Sequence, residues 1–147
     1  MIYPNYQKCE HSPQFSESEF GVKVCFAGGK LQAVFFKDSP CVLFGRYRVG
    51  EEIIAEFGNK IENHFVVVVI HKESLGIYTG RILKEFIELD QNATADNSDV
   101  GGEITAMESY FNIDFMQQCR VPGEKGKYWV IILVGKLASP ALEFEVQ

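Results

Sequence analysis

The sequence predicts an all-β protein, a single-domain antiparallel β-sandwich with a polar N-terminal arm and one long acidic loop. Three observations carry this. Residues 64–71 (HFVVVVIH) and 127–135 (KYWVIILVG) read as strands that are apolar on both faces. A composition with 12 Phe and 6 Tyr leans toward β structure. The rest of the chain breaks into short segments with turn signals at regular spacing and no long helix, the pattern of a sandwich or barrel.

The elements follow in order. Residues 1–19, polar and carrying Pro4 and Pro13, form the arm, and 20–147 form the sandwich domain. Segments 20–27 and 30–37 flank Gly28-Gly29, a hairpin signal because glycine supplies the positive φ of tight turns. Asp38-Ser39-Pro40 is a turn, 41–49 a strand, and Gly50-Glu51-Glu52 leads into 53–57, which continues the strand-and-turn pattern. After Gly58-Asn59 comes the strand at 64–71. Over 75–89 a helical stripe (Ile82, Leu83, Phe86, Ile87) competes with alternation, and a strand through about Leu83 is favoured. Residues 90–103 (DQNATADNSDVGGE) are the long loop. Residues 110–116, 127–135 and 141–146 complete the set, with a turn at 138–140.

At 147 residues the chain can bury about 70% of its unfolded surface without metals or disulfides. Its hydrophobic fraction of 46% and charged fraction of 23% exclude disorder. Net charge is −6 and the basic residues are scattered, Arg46 and Arg48 being the one close arginine pair, so nucleic acid and anionic membranes are not expected partners. No signal-peptide pattern opens the chain and no stretch of eighteen apolar residues occurs, which reads as a cytoplasmic, non-membrane protein. Cys9, Cys25, Cys41 and Cys119 form no CxxC pair and are read as free thiols in or near the core.

Glu124-Lys125-Gly126-Lys127-Tyr128 followed by Trp129-Val130 resembles the tyrosine-corner region of immunoglobulin-like and fibronectin-like sandwiches. In that motif glycine makes the corner and the tyrosine hydroxyl bonds back to the backbone. Gly135 and the closing ALEFEV strand fit the same pattern. The resemblance implies an immunoglobulin-like architecture and assigns Tyr128 to the fold. Val130 stands where antibody domains carry a disulfide cysteine, which sets the chain outside the antibody branch.

Patterns that could carry chemistry are incomplete. His71-Lys72-Glu73 has the H-x-E spacing of zinc deaminases without the P-C-x-x-C partner, Pro40-Cys41 standing alone upstream. Cys9-Glu10-His11 offers metal ligands only if Cys119 or His64 joins them. His64 and His71, bracketing one strand, would point to opposite faces. The loop opening Asp90-Gln91-Asn92-Ala93-Thr94 alternates oxygen ligands but has Ala95 and Gly101 where a calcium loop needs glycine and glutamate, which leaves Asp90, Asp96, Asp99 and Glu103 as an irregular ligand or calcium loop. No nucleophile elbow or phosphate-binding glycine loop occurs. No enzyme activity, resident metal or cofactor is expected.

The doubly apolar strands direct the functional reading. Phe65, Val67, Val69, Tyr128, Val130, Ile132 and Val134 would share one face, and Val66, Val68, Ile70, Trp129, Ile131 and Leu133 the other. Leaving the second set in water forfeits about 1.5 to 3 kcal/mol per large side chain. Either residues 1–19 or 83–108 cover it, or it is a surface for a protein partner or a second copy, with Trp129, Ile131, Leu133, Val66 and Val68 at the interface; an exposed edge strand, to which a partner adds a strand by backbone hydrogen bonds, is the other route to the same interaction or assembly role. The competing reading is a small-ligand or carbohydrate-binding sandwich that uses the 90–103 loop with exposed aromatics such as Tyr47 and Tyr78.

Overall fold

Phe65, Val67, Val69, Tyr128, Val130, Ile132 and Val134, the first of the two faces, are each at most 1% exposed and form the centre of one core. They belong to a two-sheet sandwich in a computed structural model that describes residues 3–16, 19–82 and 106–147. The strands are β1 (Gly21–Cys25), β2 (Gln32–Phe35), β3 (Val42–Gly50), β4 (Val66–His71), β5 (Ile77–Arg81), β6 (Ala106–Asp114), β7 (Gly126–Val134), β8 (Leu137–Ala138) and β9 (Leu142–Val146). The small sheet has the order β1-β3-β6, and the large one β2-β9-β7-β4-β5, with β8 beside β7. Among the described residues every strand pairing is antiparallel except β2 with β9. Between the sheets, Leu43, Tyr47 and Val49 of β3 and Phe111 and Ile113 of β6 meet the inner residues of β4 and β7.

Gly28 and Gly29 make the expected turn, with φ of 76° and 74° and a Phe26 N–H to Lys30 O bond of 2.7 Å. The hairpin itself is not formed. β1 pairs with β3 and β2 with β9, so the chain changes sheets at this turn. Turn chemistry fixes a local reversal, whereas partner choice follows the burial of Val22 and Val24 over one sheet and Phe35 over the other.

Residues 53–57 are helical rather than extended. Helix α1 (Glu51–Phe57) places Ile53, Ile54 and Phe57 on the core side, holds Glu51 and Glu52 in its first turn and stops at Gly58, φ 68°. Acidic side chains favour a helix N-terminus through the helix dipole, and the i, i+1, i+4 apolar spacing suits a helix as well as it suits a short strand. At 110–116 the strand ends at Asp114, which caps helix α2 (Phe115–Gln118) by accepting the Gln117 N–H at 3.3 Å.

The tyrosine corner forms. The Tyr128 hydroxyl donates to the Glu124 carbonyl at 2.6 Å, and its ring stacks on Phe144 with centroids 5.0 Å apart. Gly126 lies at φ 144°, and a Cβ there would approach His71 Nε2 to 2.7 Å, so both backbone shape and space call for glycine.

Residues 3–16 lie over the outer face of the small sheet. Asn112 of β6 donates to Asn5 Oδ1 (2.6 Å) and Gln7 O (2.9 Å), the Cys25 thiol donates to His11 O (3.0 Å), and the His11 ring packs 4.9 Å from Phe44. Arg46 stands between the rings of Phe15 and Tyr110, at 5.0 and 5.2 Å, and is bridged to Glu108 at 3.1 Å. Among the described residues the arm makes no such contact with the large sheet.

Candidate functional site: the outer face of the large sheet

Because β4 and β7 pair in register, their outward residues form rows across the sheet. Ile77, Ile70 and Trp129 make one row, Thr79, Val68 and Ile131 the next, and Arg81, Val66 and Leu133 the third. Val66, Val68, Ile70, Trp129, Ile131 and Leu133 are all half-buried, and Ile77 is 65% exposed; of the segments expected to cover this face, residues 83–105 lie outside the described residues. All five residues expected at an interface, Trp129, Ile131, Leu133, Val66 and Val68, thus lie on one face beside Ile70.

Charge borders the apolar rows on the β9 side. The Trp129 Nε1–H donates to Glu143 Oε1 at 3.3 Å, and the Lys72 ammonium lies 2.9 Å from the same oxygen and 4.6 Å above the indole ring. The hydrogen bond from Lys72, then that from Trp129, holds the Glu143 carboxyl below the usual glutamate range. Trp129, itself half-buried, is therefore held by both Glu143 and Lys72. Sequence reasoning missed this clamp, although the alternation of Leu142, Glu143 and Phe144 already puts Glu143 on the outer face.

The other candidates disperse. Asp90, Asp96, Asp99 and Glu103 lie outside the described residues. His11 of the Cys9-Glu10-His11 triplet uses Nδ1 to accept the Gly28 N–H at 2.8 Å; Cys119 instead donates to Val67 O in the core (3.5 Å), and His64 packs on Phe57 (4.7 Å). Among the described residues no three His, Cys, Asp or Glu side chains are grouped to hold a metal. His64 ends the 3-10 turn before β4 and His71 ends β4, so the two histidines flank the strand, but His64 takes no part in its alternation. His71 is buried, with Nδ1 2.7 Å from Ser74 Oγ, which ties the ring to the β4–β5 turn, and with Nε2 beside Gly126 and unpartnered among the described residues.

Tyr47, an expected exposed aromatic, is 2% exposed and donates to Glu62 Oε1 at 2.7 Å. Burial first, then the Glu62 charge, drives its hydroxyl far above the ordinary tyrosine value. Tyr78 is half-buried. Cys25, Cys41 and Cys119 are buried free thiols and Cys9 is partly exposed; burial pushes Cys25 up to about 11 and Cys41 and Cys119 up to about 12. These three are poor nucleophiles at neutral pH.

Fold and face define a β-sandwich whose larger sheet presents a half-buried apolar surface. No protein-family model matches this chain, and no curated protein matches it. Among the described residues no helix is long and apolar enough to cross a membrane.

Proposed function

We propose that this chain is a non-catalytic interaction module of immunoglobulin-like type that binds a protein partner, in the first instance a second copy, through the outer face of its large sheet. The observation that carries the reading is the set of rows built by Val66, Val68, Ile70, Trp129, Ile131 and Leu133, large side chains gathered on a face that the arm leaves uncovered. Immunoglobulin sandwiches place their A, B and E strands in one sheet and C, F and G in the other. The division into β1, β3, β6 and β4, β7, β9, with Tyr128 in the corner position, supports that type.

Arg46 and Arg48 have their guanidinium groups over aromatic rings, which supports a role in holding the small sheet rather than in binding nucleic acid. Free thiols support a reducing, cytoplasmic setting.

Light scattering coupled to size exclusion over a wide concentration range tests the reading on the wild type and Trp129→Ala. The expected result is a concentration-dependent dimer or larger species that Trp129→Ala weakens while its melting temperature stays near the wild-type value. A wild type that is monomeric at every concentration, or a Trp129→Ala chain that loses stability and keeps its association, overturns self-association through this face.

A further inference from the structure

Of the four thiols, Cys41 and Cys119 belong to the core between the sheets, whereas Cys25 is just as buried but lies outside that core. Alternation along β1 explains the difference. Val22 and Val24 point inward, so Cys25, the next residue, turns to the outer face, opposite Phe44 of β3. What buries it there is the arm. The Cys25 thiol donates to His11 O at 3.0 Å, the His11 ring packs 4.9 Å from Phe44, and His11 Nδ1 accepts the Gly28 N–H at 2.8 Å, just past the end of β1.

The same piece of arm carries Cys9. A tight turn joins Cys9 to Ser12: the Ser12 N–H donates to Cys9 O (3.1 Å), the Cys9 N–H to Ser12 Oγ (2.9 Å) and the Ser12 hydroxyl to Cys9 Sγ (3.7 Å). This turn holds the Cys9 thiol beside Ser12 while His11, one residue earlier, rests on the Cys25 thiol. The two sulfurs are near enough that charge on Cys9 adds to burial in pushing Cys25 up to about 11. Cys9 is partly exposed and Cys25 is covered, so a reagent from solution meets Cys9 first.

We propose that Cys9 and Cys25 are a redox pair, joined into a disulfide by a low-molecular-weight disulfide such as oxidised glutathione, which locks the arm onto the small sheet. The Cys9 thiolate, its proton released to water, attacks one sulfur of the small disulfide; a mixed disulfide forms at Cys9 and a glutathione thiolate leaves. Cys25 then gives up its proton and its hydrogen bond to His11 O and attacks Cys9 Sγ, expelling the second glutathione thiolate. Two protein thiols are oxidised to one disulfide, and one small disulfide is reduced to two thiols. Burial of Cys25 makes the second step the slow one. Closing residues 9–25 into a loop stabilises the docked arm, because the released arm loses much of its freedom. Disulfides of this kind, made and broken with the surrounding redox state, are the ones a reducing compartment uses.

Incubation of the full folded chain with oxidised glutathione, followed by intact mass and non-reducing peptide mapping, tests it. The expected product lacks its two thiol hydrogens, carries a cross-link between Cys9 and Cys25 with Cys41 and Cys119 free, and melts several degrees higher until a reductant is added. Cys9→Ser should form no internal disulfide and leave Cys25 unmodified over the same time, while Cys25→Ser should stop at a glutathione adduct on Cys9. Because Cys9→Ser replaces a partly exposed thiol, it keeps the test open if Cys25→Ser disturbs folding. No reaction, or a glutathione adduct on Cys9 that persists in the wild type, overturns the proposal. So does a cross-link between two copies or to Cys41 or Cys119, or a link between Cys9 and Cys25 that forms only in urea.

Discussion

Tyr128 shows how much one side chain can fix. Its hydroxyl ties the Glu124 carbonyl to the start of β7 while its ring lies between His71 and Phe144, 4.7 and 5.0 Å away. Tyr128→Phe keeps the ring and leaves that carbonyl unpaired, so the urea midpoint should fall by an amount equivalent to about 1 kcal/mol with no change in slope. An unchanged midpoint would show that water replaces the hydroxyl. Asp114 works in the opposite direction. Burial raises its pKa above the ordinary 3.8, a rise only partly offset by backbone N–H groups of Gln117, Cys41 and Met116. The folded chain therefore holds this proton more tightly than the unfolded chain. That stabilisation is fully present below 3.8 and is lost as pH rises through the folded value. Asp114→Asn keeps the Oδ1 cap and removes the titration. The stability of wild type minus that of the variant, from urea melts at a series of pH values, should fall as pH rises, and a flat difference would refute it.

At the scale of elements, close approach decides where substitutions are tolerated. Gly45 of β3 faces Phe111 of β6 across the small sheet, and a Cβ at Gly45 would overlap the Phe111 ring. Gly45→Ala should destabilise by about 1 to 3 kcal/mol through overpacking, and adding Phe111→Leu should restore part of the loss. A double variant no more stable than Gly45→Ala alone would place the strain elsewhere. The same scale explains what was legible in the sequence. The strands at 64–71 and 127–135 were readable because runs such as VVVVI and WVIILV are short, rich in β-branched and aromatic residues and bounded by turn signals. The corner was readable because its hydrogen bond is local, four residues apart. The partners of β1 and β2 were not, since Gly28 and Gly29 specify a reversal and nothing in either strand names β3 or β9. Nor was α1, where Ile53, Ile54 and Phe57 satisfy two periodicities over seven residues and the choice falls to packing on β3.

For the whole molecule, the two sheets solve the same problem differently. The small sheet buries its outer face under residues of its own arm, with His11 against Phe44 and Phe15 against Arg46, whereas none of the described arm residues contacts the apolar outer rows of the large sheet. Which sheet the arm chooses was not legible in sequence, because its contacts reach several separate strands, from Cys25, 14 positions beyond His11, to Asn112, 107 positions beyond Asn5. The arm's contribution is measurable through Cys25, which is buried beside His11 and pushed up to about 11 by burial first and the nearby Cys9 second. Removing residues 1–16 should make Cys25 react with a thiol reagent much faster, while Cys41 and Cys119, buried on contacts the arm does not make, keep their slow rates. Acceleration of all three together would mean that the arm is required for the fold itself. No change at Cys25 would mean that the arm does not shield it in solution, and that the outer face of the small sheet is accessible there.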